Sequence, residues 1–248
     1  MMNPDISFSR ALLPTLLCLI LIPGCANHAA QKATQAALKG NVQRVAMVKV
    51  EEPKLEIKKN GGVGAFLGPI GVLVEKDYLK TKMAEFTNST QDHKLLLGSK
   101  MSTALQKELS ASGYKVTVLP DDIKSADIDD LDDLDYSKIQ SGDDAILHVY
   151  YDYAGFFSNY TSLTYQPQLH ITMKLIAMKD KTELVDETIA YGTDARKETN
   201  DSVPADPKYA YSTFNELIEK APEAEEGLDK GVEALAKHVV KQLRRLGY

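Results

Sequence analysis

The chain has 248 residues, 44% of them hydrophobic and 26% charged, and its 29 Lys and Arg against 35 Asp and Glu give a net charge of −6. That balance excludes a disordered or collagen-like chain. It also argues against a general nucleic-acid binder, which needs a positive field to displace phosphate counterions.

Residues 1–10 are a short polar leader ending in Arg10, and residues 11–22 are twelve residues without a charge. A bilayer span needs ~20 apolar residues, so this run is too short to cross and suits a signal-peptide core. It closes on Ile22-Pro23-Gly24-Cys25. These residues resemble a bacterial lipoprotein signal, in which an aliphatic residue and two small residues precede the acylated Cys; Pro23 stands where a small residue is usual. The resemblance implies a signal peptide over residues 1–24, loss of Cys18 with it, and lipid attachment at Cys25. Ala26, not Asp, follows the Cys, which by the same resemblance favours the outer membrane, periplasmic face, over the inner. More than one acyl chain makes such anchoring stable. Residues 25–41 are expected to be a tether, ~22 Å long on average as a coil, and residues 42–248 a single globular periplasmic domain.

A strand is predicted over residues 44–50, with Pro53 ending it or placing it at an edge. Residues 60–74 interleave Gly61, Gly62, Gly64, Gly68 and Gly71 with apolar residues. This is no nucleotide loop: the dinucleotide pattern needs Gly at Leu67, and no Gly-Lys-Ser/Thr occurs. The run is either a connection packed beneath the core or a contact surface for a membrane or partner, with Phe66 and Leu67 at its centre. A charged helical pattern runs from Glu75 through Phe86. Leu97, Met101, Leu105 and Leu109 form the stripe of an amphipathic helix over residues 95–112, and Gly113 stops it. Residues 114–119 alternate as a strand ended by Pro120. Strand, helix, strand implies a right-handed crossover and a parallel pair.

Residues 121–144 hold ten Asp and two Lys. Ile128, Leu131 and Leu134 recur within them, so one side can dock while the carboxylates stay in water. An EF-hand loop starting at Asp127 fails, because Leu131 and Asp132 occupy positions that need an oxygen ligand and glycine. Residues 144–153 form a strand with Ala145, Leu147, Val149, Tyr151 and Tyr153 on one face and Ile146, His148, Tyr150 and Asp152 on the other. Residues 165–178 form another, Leu169, Ile171, Met173 and Leu175 facing in. Asp180-Lys181 turns the chain into a third strand over 183–191, completing an antiparallel meander. A short helix around 211–220 follows the Pro204 and Pro207 loop. The last helix begins near Pro222 and buries Leu228, Val232, Leu235, Val239, Leu243 and Leu246, with acids in its first turns and bases in its last.

No esterase elbow, zincin helix or phosphate loop occurs, and acylation would consume the remaining thiol. His148 and His170 lie on polar strand faces. Paired opposite each other, with Asp152 nearby, they would make a two-His-one-carboxylate metal site, which a one-residue slip destroys. Phe156, Phe157 and Tyr160 are expected in the hairpin loop, either folded over the sheet or exposed as a contact surface.

The order of these elements, with the Asp143-Asp144-Ala145-Ile146-Leu147 strand start, resembles the TolB amino-terminal-like domain found in the curli-secretion lipoprotein and in lipoprotein activators of penicillin-binding proteins. The expected fold is α/β (α+β), a mixed sheet of about five strands with an initial βαβ crossover, an antiparallel meander and a C-terminal packing helix. The resemblance implies an anchored envelope protein working as a non-enzymatic binding or assembly module, with an envelope protein as partner, no cofactor, no nucleic acid and no evident small-molecule substrate. Alternatives are a subunit of an oligomeric export complex, which would need barrel-lining strands of ~9–11 residues, and a metal-binding protein using the His pair.

Overall fold

The computed structural model describes residues 37–59, 80–82, 84–88, 95–120, 134–158, 164–193 and 197–248. Cys25, Phe66, Leu67 and Tyr160 lie outside them, as do the glycine-rich run and residues 121–133 of the acidic run. Leu38–Tyr248 is one compact unit.

Among the described residues a seven-stranded mixed sheet organises that unit, in the order β3-β1-β4-β5-β6-β7, with β2 also paired to β4. The strands are β1 (Arg44–Met47), β2 (Leu55–Lys59), β3 (Lys115–Val118), β4 (Ala145–Ser158), β5 (Tyr165–Ala177), β6 (Glu183–Tyr191) and β7 (Ser202–Val203). The helices are α1 (Leu97–Ala111), α2 (Phe214–Glu219) and α3 (Ala221–Leu246); residues 80–82 and 84–88 are also helical. β1, α1 and β3 make the expected crossover, with β1 and β3 parallel. β4, β5 and β6 make the expected meander. The expected five strands become seven because β2 and β7 join the sheet. β1 and β2 both run parallel to β4 along the same edge, β1 beside its first residues and β2 beside its last.

Both main helices cover one face. The Leu97, Met101, Leu105 and Leu109 stripe of α1 and the Leu228, Val232, Leu235, Val239 and Leu243 stripe of α3 are buried on the inward side of β4 and β5. Leu169, Ile171, Met173 and Leu175 meet them, as the alternation predicts. The opposite face carries a smaller cluster of Ala46, Val48, Leu119, Ile139, Ile146 and Ile176. Leu134 and Tyr136, from the end of the acidic run, pack on that cluster. Their carboxylate neighbour Asp135 caps the turn at residues 136–138 through the Ser137 amide. Of the three residues expected to dock, Leu134 does so, while Ile128 and Leu131 lie outside the described residues.

Two carboxylates fix the edge of the sheet. Asp144 accepts from the amides of Gln43 (3.0 Å) and Arg44 (2.8 Å) and from the Arg44 guanidinium (2.8 Å), tying the start of β1 to the start of β4. Burial alone would raise its pKa; the guanidinium and the two amides outweigh it and hold the carboxyl below its ordinary value. Glu52, in the β1–β2 connection, accepts from the amides of Gly98 (2.9 Å) and Ser99 (2.8 Å). It supplies from a distance the acceptor that a local N-cap side chain would.

One sequence assignment is corrected within β4. Tyr151 pairs with Ile171 and Tyr153 pairs with His170, so Asp152 is an extra residue. Such a bulge inverts the alternation beyond it. Tyr153 therefore leaves the core face, on which Ala154 and Phe156 now lie.

Candidate functional site

The outer junction of α1 and α3 holds an open groove of about 440 Å³. Leu96, Ala104 and Val232 give it an apolar lining, and Lys100, Lys107 and Asp229 are among its charged walls. The Lys100 ammonium lies 2.6 Å and 2.7 Å from the two Asp229 carboxylate oxygens, a bridge between the helices.

Leu96 is the unusual residue of this groove. It precedes α1 with φ 47° and ψ 43°, left-handed backbone that costs a leucine roughly 1–2 kcal/mol. Its side chain is 47% exposed. The geometry has a local cause. A Cβ on Gly98 would lie 2.4 Å from the Glu51 carbonyl oxygen, so the first turn of α1 is pressed against the β1–β2 connection. Glu52 already occupies the capping position there, and the Tyr151 hydroxyl donates to the Leu97 carbonyl (3.3 Å). The chain reaches this fixed turn by a left-handed step at Leu96. Sequence reasoning did not single Leu96 out. A signal was present, since in Leu95-Leu96-Leu97 the middle leucine is out of phase with the stripe that starts at Leu97.

The other face of the sheet is polar and aromatic. His148 Nδ1 lies 2.9 Å from the Tyr136 hydroxyl, and its ring is tilted against Tyr150 at 5.1 Å. Farther along, the Tyr153 hydroxyl donates to the carbonyls of Phe156 (2.9 Å) and Glu56 (3.2 Å). The Lys58 ammonium sits 4.3 Å from the Tyr153 ring centre. The Thr172 hydroxyl donates to Asp152 (2.8 Å). His170 Nε2 is buried without a hydrogen-bond partner. Burial pushes its imidazole pKa below the ordinary value; Asp152 opposes this and Lys58 adds to it.

The proposed His148–His170 pair is not formed. His148 faces Lys174 and His170 faces Tyr153, with the Tyr150–Thr172 rung between them. The true register is four residues from the one that would join them. Among the described residues, no group of three His, Cys, Asp or Glu side chains converges to hold a metal.

Phe156 and Phe157 are strand residues, not loop residues. Phe156 is 0% exposed and packs edge-on against Phe86 at 5.1 Å, so it has no surface to offer a partner. Phe157 is half-buried. No helix among the described residues is long and apolar enough to cross a membrane.

No protein-family model matches the sequence, and no curated protein matches it. Solved structures share its outline distantly. A lipoprotein of Neisseria meningitidis is 11% identical, with TM-score 0.30, the likeness covering 63% of this chain and 85% of that one. A Xanthomonas campestris protein of family DUF330 is 11% identical, with TM-score 0.38 over 83% and 88% of the two chains. A Helicobacter pylori homolog of a neuraminyllactose-binding hemagglutinin is 11% identical, with TM-score 0.34 over 84% and 89%. At these values no residue role passes from one chain to another.

Proposed function

We propose that this chain is a lipid-anchored envelope protein, held through Cys25 on the periplasmic side of the outer membrane, that acts as a non-enzymatic binding module for another envelope protein. The anchor rests on the uncharged run ending in Ile22-Pro23-Gly24-Cys25. The likeness to TolB amino-terminal-like domains rests on the order β1, α1, β3, meander, α3.

The observation that carries the binding reading is Leu96. Backbone strain and an exposed apolar side chain are two separate local costs, and here they fall on one residue at the lip of a groove. Such strain persists where the surrounding structure over-determines it, and it concentrates at functional positions. The groove presents apolar floor between charges of both signs, which suits an amphipathic segment of a partner protein. Phe66, Leu67, Phe157 and Tyr160 are further proposed contacts; Phe156, buried against Phe86, is not one.

Photocrosslinking in cells from a probe at Leu96 is expected to capture one envelope protein, and capture of lipid alone would defeat the reading. Leu96→Gly is expected to leave the fold as stable, or to raise stability by up to ~1 kcal/mol through relief of the left-handed strain, while partner capture falls. A loss of stability above ~1 kcal/mol in a denaturant titration would mean that Leu96 serves the fold instead. Cys25→Ser is expected to abolish acyl labelling and move the protein from the membrane fraction to the soluble periplasm. Unchanged membrane partitioning would refute attachment through that sulfur.

A further inference from the structure

The chain joins its compact unit beside the C-terminus of α3. The Gly40 amide donates to the Gly247 carbonyl, and the Lys115 amide donates to the Gln43 carbonyl (2.8 Å). The Lys39 stem lies next to Gly247. The first residues of the unit, the start of β3 and the end of α3 thus share one pole.

That pole is basic. Lys39, Lys115 and Arg244 are exposed there, with exposed Lys237 more than two turns back along α3, and none of the four makes an ion pair among the described residues. Lys241 is paired with Glu198 at 2.7 Å, and Arg245 reaches Glu187 at 3.6 Å. Of the acids at this end, Glu108 in the last turn of α1 is half-buried, and the two at the start of β4 are engaged. Asp144 is held by Arg44, and Asp143 accepts from Ser141 and Thr117. The other end of α3 is acidic, with Glu223, Glu225, Glu226 and Asp229 against Lys230, and Glu219 and Lys220 just before the helix. The helix between them has 26 residues, or ~39 Å at 1.5 Å per residue.

Complementing the helix dipole does not account for the arrangement. That effect fades beyond the last turn. Lys237 lies more than two turns before the end of α3, and Lys39 and Lys115 are not on the helix at all.

We infer that this pole is a docking surface for anionic phospholipid headgroups. The inference rests on the anchored reading for its geometry: thirteen residues lead from Cys25 to Leu38, and no chain of that length spans more than ~45 Å. The chain enters the compact unit at the basic pole, so the anchor keeps that pole within this reach of the bilayer, and charge attraction then favours it as the face that docks. The acidic end of α3 is then repelled outward, and the α1–α3 groove stands beside the bilayer with its Asp229 end away from the lipid.

The test uses the chain from residue 25 onward carrying Cys25→Ser, so that no acyl group contributes. It is floated with vesicles of phosphatidylethanolamine and phosphatidylglycerol, or of phosphatidylcholine alone. Binding to the anionic vesicles is expected, lost at high salt and absent on the neutral ones. Each basic residue near an anionic surface strengthens partitioning about fivefold. The double variant Lys39→Glu, Arg244→Glu is therefore expected to bind more than about tenfold more weakly. The variant Lys54→Glu, Lys59→Glu, of equal net charge but altered around β2, is expected to bind as the parent does. Equal binding by the two doubles, no binding by the parent, or binding to neutral vesicles would each overturn the inference. The anchor is judged apart from this, by the acyl mass on Cys25 of the wild-type protein, so either idea can fail alone.

Discussion

Replacing Gly155 with alanine is expected to remove about 3–5 kcal/mol of stability and to release β2 from the sheet. Gly155 has φ +150°, and a Cβ there would lie 1.8 Å from the Glu56 carbonyl oxygen. Glu56 is its direct partner in the β2–β4 pairing. The obstacle is backbone, so no rotamer change relieves it. Either β2 moves away or β4 gives up its geometry. Moving β2 exposes Ile57, which is buried, and breaks the Tyr153 bond to the Glu56 carbonyl. Gly142→Ala is the control, since a Cβ there meets nothing within 4 Å. Denaturant titration should show the loss, and amide exchange should accelerate across residues 55–59 first. A cost below ~1 kcal/mol would show that the close approach is not required.

The same corner shows where the sequence stops being legible. The alternation of Ala145, Leu147, Val149 and Tyr151 names the core face because each residue is held by the period of a regular strand. Tyr-Asp-Tyr continues that alternation in the letters while the backbone inserts a bulge at Asp152. Nothing in residue type distinguishes the two until Gly155, Phe156 and Phe157, where two adjacent aromatics and a glycine fit neither face pattern. β4 therefore continues through residues expected to be a loop. β2 was hidden for a related reason. Pro53 signals an ending, yet the chain resumes along the same edge of β4 after a short detour, and Leu-Glu-Ile is too brief to show a period. β7, at two residues, carries no period at all.

Register explains the failure of the histidine pair. Strand alternation places His148 and His170 on one face, and that much is correct. Which residue they oppose depends on turn length and bulges, and four residues of offset separate a metal site from two unrelated histidines. Long amphipathic elements fared better because many residues repeat one message. The α1 stripe is buried as read, and so is the α3 stripe except Leu246, which is half-buried. Leu96 was missed because it belongs to neither stripe, which is also what makes it informative.

Gly231→Val is expected to cost about 2–4 kcal/mol and to disturb the groove as well as the core. α3 packs closely through two glycines one turn apart, Gly227 on the 207–209 turn and Gly231 on the sheet. A Cβ on Gly227 would meet the Tyr209 ring at 2.9 Å, and one on Gly231 would meet the Tyr191 ring at 2.7 Å and Leu169 Cδ1 at 2.8 Å. Leu169 can turn its methyl aside. Tyr191 cannot yield as easily, because it is buried at the end of β6. Valine adds two methyl groups beyond the Cβ, so the helix itself must lift. Asp229 and Val232 flank Gly231 and line the groove, so lifting the helix moves both and strains the Lys100–Asp229 bridge. Leu96, fixed by α1 and Glu52, stays behind. The groove then changes shape without any substitution in its lining. Capture from a probe at Leu96 should fall along with the denaturation midpoint. Gly231→Ala, which adds only the Cβ, should lie between the parent and the valine variant in both measurements. Full capture by a Gly231→Val protein of clearly lowered stability would show that the spacing of α1 and α3 does not set the binding surface.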